Sequence, residues 1–369
     1  MGYSEKLGKD LENATFLGGA ILSSEWLAII MVIERGGDIW EETPPARVFL
    51  IPFGAVNKSE NWKRSSWDKN SRVFPMIVQE SEDVALSVDS VGGVWHRDIK
   101  TSSKGEKGIR INGQRAVFKS FSGLKNIHGT VYVVGTFRNV MRREGKDRWS
   151  VFASEAMIDE AHVRYREAAK KDTIYDTGFN CIDGFSADRN LYAAGDASDV
   201  WRYDGKGWIP VDIGIFDEKI ISICCAEDGF VYMGTQRTGK FIRGKDDNWE
   251  EIKTPFENDD ITSIVSFKNK VYFSTPSRLY VYDDNEVKTV QYNTATKEVP
   301  ANAGFLDARD GWLLSVGNSS ISIYDGQEWQ ILYGASLVDA QTAYELANDM
   351  FKKSVDLMDA VEEGLSQQK

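Results

Sequence analysis

Aromatic residues in this chain recur every forty positions. Tyr192, Tyr232, Tyr272 and Trp312 are each 40 residues apart. They lie in related phrases: Asn190-Leu191-Tyr192-Ala193-Ala194-Gly195, Gly229-Phe230-Val231-Tyr232-Met233-Gly234, Lys270-Val271-Tyr272-Phe273-Ser274 and Gly311-Trp312-Leu313-Leu314-Ser315-Val316-Gly317. A second marker follows, since Trp208, Trp249 and Trp329 come 16, 17 and 17 residues after their anchors, with Val287 near that slot in the third unit. A period of about 40 residues restricts the chain to a repeat architecture in which no unit buries its apolar face alone.

Within a unit, apolar and polar residues alternate in short runs, which is the pattern of strands and not of helices. One unit runs Ile220 to Cys224, a turn at Glu227-Asp228-Gly229, Phe230 to Gly234, a turn at Thr238-Gly239, Lys240 to Arg243, a turn at Gly244 to Asn248, and a strand opening at Trp249. Four short antiparallel strands at this spacing describe one propeller blade. Upstream, Gly129 to Gly135 repeats the anchor phrase around Tyr132, with Trp149 17 residues later. Tyr132 precedes Tyr192 by 60 positions, so about 20 residues are inserted there. Val84 to Val88 and Trp26 to Ile30 are candidate anchor strands with degenerate flanks. Counting them gives seven blades; six is the alternative.

These phrases resemble the β-propeller superfamily in its kelch-like and WD-repeat-like forms. The stretch Gly311 to Trp329, with Tyr324-Asp325-Gly326 before the tryptophan, is similar to a kelch-type repeat. From that stretch the paired glycines of kelch strands and the Gly-His and Trp-Asp dipeptides of WD repeats are missing. The likeness covers residues 120–333 well and 14–119 weakly, and it implies an architecture without implying an activity. The expected organisation is an all-β chain: a lead-in over 1–13, a propeller over 14–333 with a helical insertion at about 153–171, and a C-terminal helix within 334–369.

Composition narrows the class. Apolar residues make up 42% of the chain and there are 11 tryptophans, ample for cores between blades. Three cysteines, Cys181, Cys224 and Cys225, without regular spacing argue against a disulfide framework or a zinc site. The N-terminal residues Met1 to Lys6 carry neither a secretory pattern nor a myristoylation site, and the longest apolar run, Trp26 to Ile33, is eight residues. A cytoplasmic chain is expected, with no membrane partner. A net charge of −12 and a pI near 5.0 disfavour unaided nucleic-acid binding and suit a basic protein partner.

Loops carry function on rigid scaffolds. In a propeller whose strands run a to d outward, the b–c and d–a connections emerge on one face. Three d–a loops are acidic or irregular: Phe216-Asp217-Glu218, Phe256-Glu257-Asn258-Asp259-Asp260 and Thr296 to Pro300. The insertion is a d–a connection too, and Ser154 to Tyr165 is rich in good helix formers, with Met157, Ala161 and Tyr165 on one stripe. Asp217, Glu218, Glu257, Asp259, Asp260, Asp159 and Glu160 are therefore the candidate partner-binding residues. After the last blade, Ser336 to about Gly364 has helical spacing, with Ala343, Ala347, Met350 and Phe351 on one face.

No catalytic motif is visible: no phosphate-cradling glycine loop, no Gly-x-Ser-x-Gly elbow, no His-Glu-x-x-His pair. His96, His128 and His162 are scattered over three units. Asp196 to Asp199 and Tyr282 to Asn285 have acidic turns without the register of a calcium loop. No cofactor or metal is expected. The chain reads as a non-catalytic binding protein, and an immunity protein occluding a basic toxin, such as a nuclease, is the most specific version. A hydrolase or lyase with a central-channel site and an adaptor subunit are the alternatives.

Overall fold

The structure is a computed structural model that describes residues 14–33, 46–53, 63–66, 76–101, 104–111, 114–115, 121–170, 178–276, 278–290, 304–318 and 320–333. Seven four-stranded antiparallel sheets follow one another along the chain, each with its strands in sequence order. Blade 1 holds β1–β4 (Ala14–Ser23, Trp26–Ile33, Ala46–Pro52, Lys63–Ser66) and blade 2 holds β5–β8 (Met76–Ser81, Val84–Val88, Val94–Asp98, Lys104–Gly105). A small hairpin follows, β9 and β10 (Arg110–Ile111, Gln114–Arg115). Blade 3 holds β11–β14 (Phe121–Ile127, Thr130–Gly135, Asn139–Gly145, Arg148–Val151) and is joined to blade 4 through helix α1 (Glu155–Ala169). Blade 4 holds β15–β18 (Phe179–Gly184, Leu191–Gly195, Val200–Tyr203, Trp208–Pro210) and blade 5 holds β19–β22 (Ile220–Cys225, Val231–Thr235, Phe241–Lys245, Asn248–Ile252). Blade 6 holds β23–β26 (Ser263–Phe267, Lys270–Ser274, Leu279–Asp283, Glu286–Thr289) and blade 7 holds β27–β30 (Phe305–Arg309, Trp312–Val316, Ile321–Tyr324, Trp329–Tyr333).

The chain is a seven-bladed propeller, and the six-blade alternative falls. The first strands of successive blades touch around a ring, from β1 through β5, β11, β15, β19 and β23 to β27, which returns to β1. Every anchor phrase is the second strand of its blade, including the degenerate Trp26–Ile33 and Val84–Val88. The tyrosines Tyr132, Tyr192, Tyr232 and Tyr272 are buried between sheets because that position faces the neighbouring blade. One apolar cluster, for example, joins Tyr132 and Val134 of blade 3 to Phe179, Leu191 and Trp201 of blade 4. The glycine closing the phrase has a steric reason. A Cβ on Gly195 would lie 1.7 Å from the Gly178 carbonyl oxygen, and one on Gly234 would lie 2.4 Å from Ile261.

Inner strands splay apart too far to form one continuous sheet, so side chains bridge their open edges. Gln79 Nε2 donates to Leu22 O at 2.5 Å, Asn126 Nδ2 to Gln79 O at 2.7 Å, and Asn180 Nδ2 to Ile220 O at 3.0 Å. Ser222 Oγ donates to Ile261 O at 2.6 Å, and Ser263 Oγ accepts from Leu306 N at 3.0 Å. Asp307 Oδ2 accepts from Ile21 N at 2.8 Å, which ties blade 7 to blade 1. The Phe16 and Tyr333 rings, 5.6 Å apart, close the same junction. The expected C-terminal helix, the lead-in and the Thr296 to Pro300 loop lie outside the described residues.

Candidate protein-binding site

The b–c and d–a connections do meet on one face, and hydrogen bonds join them into an arc over blades 3 to 6. It begins at the turn Thr136-Phe137-Arg138-Asn139, where Phe137 and Arg138 both adopt positive φ, 54° and 56°. Neither residue favours the left-handed region, so the turn is strained and its surroundings must hold it. Arg138 turns inward and is 1% exposed. Its Nε donates to Asp199 Oδ2 at 2.6 Å and its Nη2 to Asp199 Oδ1 at 2.9 Å. Nη1 reaches the Met157 carbonyl of α1 at 3.4 Å and Glu160 at 3.5 Å, while the guanidinium lies over Trp201, 4.7 Å from its centroid. Phe137 turns outward and stacks on His162 of α1, with centroids 4.2 Å apart.

Helix α1 is thereby clamped at two points. Ser154 caps it, accepting from Met157 N. Of the expected apolar stripe, Met157 and Ala161 are buried, but Tyr165 is exposed and packs edge-on against Phe137 at 5.4 Å. Asp159 faces solvent. Glu160 also pairs with Arg164 at 2.9 Å, so its charge is largely compensated within the chain.

The arc continues through the b–c loop of blade 4. Ser198 N donates to Glu218 O at 2.7 Å, and Ser198 Oγ accepts from Glu218 N at 3.1 Å. Glu218, expected at an exposed rim, is instead 7% exposed. Its carboxylate accepts from Thr238 Oγ1 at 2.6 Å and pairs with Lys240 at 2.8 Å, which ties the 4–5 connection to the b–c loop of blade 5. Glu218 is therefore a structural post. Asp217 and Glu257 are exposed. Asp259 and Asp260 are half-buried; Asp260 Oδ1 accepts from Arg237 N at 2.6 Å, and Asp259 Oδ1 from Asp260 N at 2.8 Å. All seven candidates lie on this arc, but they divide into Asp159, Asp217 and Glu257, which have no partner among the described residues, and carboxylates that hold loops together. Phe137, Arg138, Asp199 and Phe216 were missed. Phe216, an aromatic beside two acids in a loop, and Asp199, in the acidic turn Asp196 to Asp199, carried some signal; Phe137 and Arg138 carried none.

The arc overlooks the channel mouth, a cavity of about 480 Å³ whose walls include Ser90, Asn180, Asp196, Lys219 and Gln236. Asp196 takes up Lys219 at 3.6 Å and Asn180 at 3.2 Å, so the acidic turn seen in the sequence is engaged internally. Deeper in the channel, Lys125 stands 3.8 Å from Asp183. The Asp183 charge raises the Lys125 pKa above the ordinary lysine range, against the opposing effect of burial, so the amine stays protonated. Burial likewise pushes all three thiols up, Cys224 to about 12. His96 lies on β7, His128 in the turn after β11 and His162 on α1, all away from the channel. Among the described residues, no three His, Cys, Asp or Glu side chains group to hold a metal ion, and no helix is long and apolar enough to cross a membrane.

Comparison with known proteins bears on this face. The immune protein Tsi7 of Pseudomonas aeruginosa is 33% identical over 260 residues, which cover 70% of this chain and 78% of Tsi7. This chain belongs to the Tsi7 immune-protein family. No family model matches the sequence. Solved propellers share the fold alone. A virginiamycin B lyase from Staphylococcus aureus superposes with a TM-score of 0.55 at 11% identity, covering 86% of this chain and 94% of the lyase. YCF48 bound to D1 peptide gives 0.56 at 13% identity, covering 84% and 91%. The Tsi7-family chain thus shares its scaffold with propellers of other kinds.

Proposed function

We propose that this member of the Tsi7 family is a cytoplasmic immunity protein that neutralises a protein toxin by binding, with the arc over blades 3 to 6 as the docking face. The observation that carries the reading is the family relationship together with an arc of loops pinned to one another by Arg138, Glu218 and Asp260. A face ordered before association loses little conformational entropy on binding. Carboxylates at Asp159, Asp217 and Glu257 on a chain of net charge −12 favour a basic partner, and nucleases are basic because their substrate is a polyanion. The channel supports a binding role over a catalytic one. Lys125 is held as an ammonium and the thiols are held protonated, so neither is a poised base or nucleophile.

The test is co-expression in a bacterial host with the product of whichever gene lies directly upstream of this chain's own. Growth arrest by that protein alone, relieved by this chain and accompanied by a stable complex in size-exclusion chromatography, is the expected result. An upstream product that is harmless, or that this chain neither binds nor neutralises, overturns the reading.

A further inference from the structure

The loop joining blades 4 and 5 buries its apolar residues at every second position. Ile213 is in the core between the blades, and Val211 and Ile215 pack against it. Phe216 breaks the alternation and is 74% exposed, the most exposed large apolar side chain among the described residues. The backbone dictates this placement. Gly214 and Asp217 take positive φ of 69° and 58°, and Gly214 N is held by Asp212 Oδ1 at 2.9 Å. The reversal at Asp217 sends Glu218 down into its pocket and leaves Phe216 pointing out. Asp217 beside it makes no hydrogen bond or ion pair among the described residues. The nearest lysine in sequence, Lys219, is engaged with Asp196.

Phe216 stands in water on a loop anchored at Glu218 through Ser198, Thr238 and Lys240, so burying its ring on association gains apolar area at little ordering cost. Exposed aromatics on ordered loops are what interface anchors look like before binding. We propose that Phe216 and Asp217 form a preorganised finger that inserts into an apolar pocket rimmed by lysine or arginine on the partner protein. Phe216 fills the pocket and Asp217 faces the cation. The inference rests on the immunity reading for the partner's identity, and it moves the energetic centre of the face from the acidic rim to one aromatic side chain.

The test measures binding of the upstream-encoded protein to the full chain and to three variants by surface plasmon resonance. Phe216→Ala should weaken Kd by about 30-fold or more, chiefly through faster dissociation, with an unchanged melting temperature. Phe216→Leu should retain part of the affinity. Asp217→Asn should slow association at low salt and flatten its salt dependence. A wild-type chain that binds while Phe216→Ala binds equally well overturns the finger and leaves the immunity reading standing. A wild-type chain that does not bind overturns both. If light scattering finds the wild type dimeric and Phe216→Ala monomeric, the pocket belongs to a second copy and the proposal fails.

Discussion

Arg138 and Asp199 form a two-bonded ion pair that joins the b–c loops of blades 3 and 4 and reaches α1 through the Met157 carbonyl. Removing the arginine would strand a mostly buried carboxylate and relax a turn strained at Phe137 and Arg138. Arg138→Ala should therefore cost about 3 kcal/mol in denaturant unfolding, the lower end for a broken buried pair because Asp199 keeps some solvent contact. Arg138→Lys keeps the charge but loses the fork, and should recover only part of this. Equal stability of all three proteins would show that α1 is held by its apolar contacts alone.

Tyr232 tests the anchor of the repeat. Its ring lies in the core between blades 5 and 6, stacked on Phe241 with centroids 5.6 Å apart, and its hydroxyl donates to Asp228 at 2.6 Å. Tyr232→Ala should cost about 3–5 kcal/mol, as truncation of a buried aromatic does. Tyr232→Phe removes only the hydroxyl and should cost about 1 kcal/mol. Calorimetric melting separates the two.

The acidic rim gives a kinetic prediction. Replacing Asp217, Glu257, Asp259 and Asp260 with Asn or Gln should slow association with the upstream-encoded protein most strongly at low salt, where the Debye length reaches ~30 Å at 0.01 M. Asp217 and Glu257, which have no partner among the described residues, should dominate the effect. Glu218→Gln behaves differently, because its carboxylate is bonded to Thr238 and Lys240: it should lower the melting temperature as well as the affinity. An association rate indifferent to both salt and these changes would place the partner elsewhere.

Stability should also fall in acid through Glu106. Burial raises its carboxyl pKa, but the Arg143 hydrogen bonds, the Asp147 N–H and the Arg143 charge outweigh burial and hold it below the ordinary glutamate value. A carboxyl depressed in the folded state stabilises the fold above its unfolded pKa, and that contribution is lost as pH falls through the folded one. Glu106 accepts from Arg143 Nη1 and Nη2 at 3.0 and 2.9 Å, and Arg143 also pairs with Glu80, so acid loosens the contact between blades 2 and 3. Denaturant titrations from pH 6 down to pH 3 should show a shallower decline for Glu106→Gln, which is already destabilised at pH 6.

Much of the fold was legible because the anchor strand meets one demand in every blade. Tyr132, Tyr192, Tyr232 and Tyr272 must all fill the gap to the next sheet, the glycine at 195 must let a neighbouring backbone approach, and the glycine at 234 must leave room for the Ile261 side chain. Trp26 to Ile33 was faint because the side chains it turns to blade 2 are Ala28 and Ile30, which leave no distinctive mark. The face bearing the candidate site was legible through loop addresses. The role of each acid was not, since Asp217 and Glu218 are adjacent and equally charged.

The sequence by itself determined the repeat and which connections share a face, because burying a sheet between two others imposes a period that composition cannot hide. It left six or seven blades open, and the closed ring of inner strands decided for seven. Only the tertiary structure decided that Glu218 is a buried post, that Glu160 belongs to the Arg138 clamp and that Phe216 stands in solvent. Those outcomes depend on contacts between residues distant in the chain, such as Arg138 with Asp199 and Glu218 with Thr238. They also depend on the backbone reversal at Asp217, where one positive φ assigns neighbouring side chains to opposite environments.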